Sequence, residues 1–90
     1  MKLLDVKRSD RKDKRFVATF DDGKKIHFGQ KGGKTFIDEQ DEKKKSNYIA
    51  RHKVNEDWSK VNPGSLARFV LWSQPTLTGG IKEFKKNLGV

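Results

Sequence analysis

The chain has 90 residues, 32% of them hydrophobic and 37% charged, which sets one domain over residues 1–90 with a thin core. Lys and Arg number 21 against 12 Asp and Glu, a net charge of +9, so anionic partners are favoured, nucleic acid first and acidic protein or membrane surfaces after it. There is no cysteine, which excludes disulfides and cysteine zinc sites and fits a reducing, intracellular setting.

Residues 1–29 read as strands. In KLLDVK, Leu4 and Val6 are expected on one face. The polar run RSDRKD is a turn. KRFVATF alternates, with Phe16, Ala18 and Phe20 on one face and Val17 and Thr19 on the other. Asp22-Gly23 is a hairpin signal, because both residue types tolerate positive φ. KKIHF returns with Ile26 and Phe28 on one face and His27 on the other. The hairpin 14–20/24–28 is the most secure part of a three-stranded antiparallel meander.

Residues 38–53 predict one helix. Acids (Asp38, Glu39, Asp41, Glu42) fill its first turns and Arg51, His52 and Lys53 its last, which complements the helix dipole, with Asp38 as N-cap. Its apolar stripe is Tyr48 and Ile49, with His52 one turn on, so it belongs on the surface. Asn62-Pro63 starts a second helix, and SLARFVLW over 65–72 is apolar nearly all round, as a central core helix is. Gln74-Pro75 ends it. A third helix over about 77–88 places Ile81, Phe84 and Leu88 on one stripe, with Gly89 as cap. Strands followed by helices give an α+β fold, a three-stranded antiparallel meander followed by three helices packed on one face. No segment approaches the ~20 apolar residues that span a bilayer, and the opening MKLLDVKRSD does not read as a signal peptide.

The run FGQKGGKTFIDEQ poses the sharpest chemical question. A phosphate-gripping loop needs four residues between its first glycine and Gly-Lys-Thr, and only three separate Gly29 from Gly33. The acids after Thr35 would repel phosphates where a helix start should attract them. The loop therefore reads as a strand-to-helix turn whose Lys31 and Lys34 can touch a nucleic-acid backbone. His52 and Glu56 are spaced for one helix face, but one His and one carboxylate fall short of a zinc set, so no metal is expected. The plainer role for His52 is to cap its helix or pair with a carboxylate. Two histidines and no cysteine leave no credible nucleophilic triad, and the chain is expected to be no enzyme and to hold no cofactor.

The basic segments carry the positive signal. Lys7, Arg8, Arg11, Lys12, Lys14 and Arg15 lie within nine residues. Lys43, Lys44, Lys45 and Arg51 lie on the first helix, and Lys82, Lys85 and Lys86 on the last. If these segments share a face, the patch neutralises several phosphates and binding falls steeply with salt. Tyr48 or Trp58 beside it would stack on unpaired bases. Core packing is the plainer role for Trp58 and Trp72, and solubility alone is the plainer role for the charge.

Phe28-Gly29, Tyr48-x-x-Arg51-His52, Glu56-x-Trp58, Gly64-x-Leu66-x-Arg68-x-x-Leu71-Trp72 and Pro75-Thr76-Leu77 resemble the pattern of a family of short basic proteins of unknown function encoded by large DNA viruses of algae and amoebae. The likeness runs over about 14–88. The chain departs from it at Glu39, where the family pattern has His, and at Gly79-Gly80, where it has Ser. The resemblance implies a viral protein located in the virion or in the host cytoplasm or nucleus, and supplies no activity. Arg51 and Arg68 lie beside aromatic residues and are expected to stack or to pair with Glu56 or Asp57.

Two roles follow. One is a non-enzymatic protein that binds nucleic acid through its backbone, DNA favoured over RNA, using Lys7, Arg8, Arg11, Lys12, Lys14, Arg15, Lys31, Lys34, Lys43, Lys44, Lys45, Tyr48 and Arg51. The other is a minor capsid protein acting through contacts with other capsid proteins.

Overall fold

Alternation of apolar and polar side chains along Lys14–Phe20 builds the central strand, β2, and sends Phe16, Ala18 and Phe20 to one buried face. The computed structural model describes residues 1–90. β1 (Leu3–Arg8) and β3 (Lys25–Gln30) flank β2 in an antiparallel sheet of order β1-β2-β3. Phe16 faces Phe28 and Ala18 faces Ile26, so apolar pairs lie opposite each other on the buried side. The hairpin turns as expected at Asp22-Gly23. Gly23 has φ +85°, its N–H donates to the Phe20 carbonyl at 3.0 Å, and Asp22 accepts from the Lys24 N–H.

The expected face of β1 is corrected. The register with β2 shifts between Leu3 and Asp5, and this bulge turns Leu3 inward (3% exposed) while Leu4 points out (62%).

The segment expected as one helix over 38–53 forms two, α1 (Phe36–Glu39) and α2 (Glu42–His52). The break is at Gln40, a non-glycine residue in the left-handed region with φ +51°. Competing caps explain it. Thr35 precedes α1, and Asp38, expected as an N-cap, lies inside it, accepting from the Thr35 N–H and hydroxyl, each at 2.8 Å. Asp41 caps α2 instead, accepting from the N–H groups of Lys43 and Lys44.

α3 (Pro63–Leu66) starts at Asn62, whose side chain accepts from the Ser65 N–H at 2.8 Å, and it widens into a π-helical turn over Ala67–Leu71. α4 (Leu77–Leu88) is capped by Thr76 at its start and by Gly89, φ +67°, at its end. The π turn and α4 meet at Gly80, where a Cβ would lie 2.0 Å from the Val70 carbonyl oxygen, so only glycine fits. Leu3, Phe16, Ala18, Phe20, Ile26 and Phe28 from the sheet join Leu66, Val70, Leu71 and Phe84 from the helices in one core. No helix is long and apolar enough to cross a membrane.

Candidate nucleic-acid interface

The basic turn between β1 and β2 is fixed from within. Buried Ser9 accepts from the Arg11 N–H at 3.0 Å, lies 2.6 Å from His27 Nδ1, and donates its own N–H to the Arg15 carbonyl. The Lys31 N–H donates to the Asp13 carbonyl at 3.3 Å, which ties this turn to the Gly-rich loop after β3. Arg8, Arg15 and Lys31 consequently line a hollow of about 310 Å³ at this end of the sheet. Arg11 and Lys12 are exposed on the turn beside it, and Lys7 is exposed on β1, 3.7 Å from Asp5.

The second half of the Gly-rich loop faces a larger cleft of about 1080 Å³. Lys14, Lys34, Lys44, Tyr48 and Arg51 line it, with Gly29 and Gly33 from the loop side and Gly64, Leu71 and Trp72 from α3 and its π turn. Gly29 is required there. It has φ +79°, and a Cβ would come within 3.1 Å of Leu71 and 3.3 Å of Arg15. The loop thus stands between the hollow and the cleft, with Lys31 and Gly32 on one and Gly33 and Lys34 on the other. No P-loop geometry arises, because the sheet is antiparallel throughout.

Several residues expected to touch nucleic acid also make contacts that fasten the fold. Arg15 grips Asp38 in a two-pronged ion pair at 2.6 and 2.7 Å. The Arg15 guanidinium holds the Asp38 carboxyl well below the usual carboxylate range, and the Thr35 donors add to this against the opposing effect of burial. Lys44 pairs with Glu39 at 2.7 Å. Lys45 donates to the Ser73 carbonyl at 2.8 Å and lies 4.7 Å from the Phe36 ring centroid. Tyr48, expected to offer a ring to bases, is corrected. It is 8% exposed, with one face stacked on Trp72 (4.5 Å) and the other on His52 (4.1 Å). Burial, and after it the Glu56 carboxylate, push its phenol up to about 12. Lys43 is exposed on the first turn of α2, and Arg51 is exposed at the cleft rim with no carboxylate partner.

The motif residues after α2 close a ring in which His52 pairs with a carboxylate, as its spacing to Glu56 suggested, while the Trp58 contacts were not foreseen. α2 ends at His52, yet Glu56 turns back to bond His52 Nδ1 with one oxygen and accepts from Trp58 Nε1 at 2.8 Å with the other. Glu56 lies against the start of α3, where a Cβ on Gly64 would come 2.8 Å from its oxygen. Arg68 pairs with neither Glu56 nor Asp57. Its guanidinium lies 5.3 Å from the Trp58 ring and 5.2 Å from the Phe69 ring, and it donates to the Trp72 carbonyl. Burial lowers its affinity for its proton. Trp72 packs on the core as expected, whereas Trp58 is half-buried outside it.

These features define a small basic α+β domain with a cation-lined cleft between α2 and the core. The chain belongs to a family of unknown function, DUF5754, whose pattern matches residues 4–52, more than half of it. The matched stretch carries the sheet, the Gly-rich loop, α1 and α2, and ends at His52, so the α3 wall of the cleft lies outside it. No curated protein and no solved structure matches.

Proposed function

We propose that this domain binds nucleic acid through the phosphate backbone, without reading base sequence and without catalysis. The observation that supports it is the tie between Lys31 and Asp13, which gathers exposed, unpaired Arg8, Arg11, Lys12 and Lys31 at one end of the sheet. On the other side of the Gly-rich loop, Lys34, Lys14 and Arg51 line the cleft. Cations from segments distant in sequence, brought to the hollow and the cleft on either side of one loop, suit a chain of phosphates. The covered faces of Tyr48 favour backbone binding over the splaying of single-stranded bases.

The likeness to basic proteins of large DNA viruses supports a packaged or replicating viral genome as the partner, DNA over RNA, within the virion or the infected cell. Fluorescence anisotropy with random-sequence duplex DNA and single-stranded RNA of equal length, from ~50 to ~300 mM salt, tests this. Micromolar or tighter duplex binding at ~150 mM salt, with a steep log–log slope, is expected. Undetectable binding there overturns it. Self-association or capture of capsid protein that survives high salt would then favour the minor capsid role.

A further inference from the structure

The cleft combines two features that the edge cations lack. Lys14 from β2, Lys34 from the loop and Arg51 from α2 line it, and the ion pairs of the molecule are all made by other residues. Glu56 is the one carboxylate among the lining residues, its oxygens hydrogen-bonded to His52 and Trp58, and Lys14, Lys34 and Arg51 outnumber it. The cleft is also walled by a ring stack, Trp72 on Tyr48 at 9° between planes and Tyr48 on His52 at 23°. Trp72 and His52 are the ends of that stack. Both line the cleft; Trp72 also packs on the core, whereas the His52 side chain is 37% exposed and stacks on no ring other than Tyr48. A planar ring adds to such an end by offset stacking.

We propose that this cleft is a binding site for a nucleoside phosphate, its phosphate held by Lys14, Lys34 and Arg51 and its base continuing the stack at His52. A cleft of about 1080 Å³ is ample for one nucleotide, since small-molecule sites run from roughly 300 to 1,000 Å³. Arginine and lysine supply phosphate donors that an acidic or neutral rim would not. The same chemistry comes from a free nucleotide or from the terminal nucleotide of a strand. The inference stands on the cleft and does not need the backbone reading, although Lys14, Lys34 and Arg51 belong to both.

The test titrates isotope-labelled full chain with AMP, with adenosine, and with a short 5′-phosphorylated single strand, reading the amides of Gly29, Gly33 and Ala50 and the Trp72 indole. Anisotropy with an internally labelled duplex runs alongside. AMP is expected to shift the cleft signals saturably, and a Lys34→Ala/Arg51→Ala variant to weaken it by about tenfold or more. Both side chains are exposed, and the variant's own amide spectrum checks its fold. Movement with the strand but not with AMP supports the site and assigns it to strand ends. Unmoved cleft signals with both ligands, adenosine binding as tightly as AMP, or an unweakened double variant each overturn the proposal. Duplex binding that persists with a silent cleft leaves the backbone reading standing alone. AMP binding without duplex binding does the reverse.

Discussion

The sheet with α3 and α4, and the arm formed by α1 and α2, are held by different physics. The first region shares an apolar core in which Phe20, Phe28, Leu66, Val70, Leu71 and Phe84 are almost wholly buried. The arm contributes nothing to that core cluster from α2. α1 packs Ile37 against that core, and the arm is otherwise fastened by directional interactions, namely Arg15 to Asp38, Lys45 to the Ser73 carbonyl, and Tyr48 between Trp72 and His52. Area burial is non-directional and additive, whereas each fastening interaction depends on one geometry. The cleft lies between the two regions and is lined by residues of both.

Breaking the core should have the largest effect. Phe20→Ala is expected to lose about 3–5 kcal/mol in urea denaturation, enough to unfold a large share of so small a domain. Gly80→Ala comes next. Its Cβ would meet the Val70 carbonyl at 2.0 Å, so α4 must shift off the π turn, with a loss of about 1–3 kcal/mol or more.

The arm should respond differently. Tyr48→Ala removes both stacks at once, about 1–3 kcal/mol from the pair. Amide exchange is expected to speed up across 42–52 while β2 stays protected. Equal loss of protection in both regions would show that they unfold as one unit and erase the distinction.

The smallest effect is expected from Asp38→Asn, about 1 kcal/mol, because the pair with Arg15 lies near the surface. The pH dependence has a definite sign. The Asp38 carboxyl binds its proton less readily when folded, so the unfolded chain takes up that proton first as the pH falls. Its contribution is complete above the ordinary carboxylate range near ~4 and fades as the pH drops through that range toward its lower folded value. Asp38→Asn should therefore flatten the acid side of the stability curve, and an unchanged acid slope would remove the Arg15 pair as a fastener.

Regular alternation made the hairpin legible, since Phe16, Ala18, Phe20, Ile26 and Phe28 alternate around an Asp-Gly turn. The apolar run over 65–72 was legible for a similar reason. The inward turn of Leu3 was not. Two adjacent leucines fit either face, and the bulge decides between them. The break at Gln40 hid behind a charge pattern that suits one long helix, although Thr35 and Asp38 already had the spacing of a local cap. The basic residues were legible as a group but not by role. Arg15 is paired by an acid more than twenty residues away, and nothing local separates it from Lys14, which faces the cleft unpaired.

The most direct test of backbone binding compares salt slopes on duplex DNA between the parent and an Arg11→Ala/Lys12→Ala/Lys31→Ala variant. All three side chains are exposed and take no part in holding the fold. The variant is predicted to bind more weakly by a similar factor for every sequence tried, with the log–log slope shallower by roughly 0.9 for each phosphate no longer neutralised. A variant that binds as tightly as the parent, with the same slope, would contradict backbone binding through this edge.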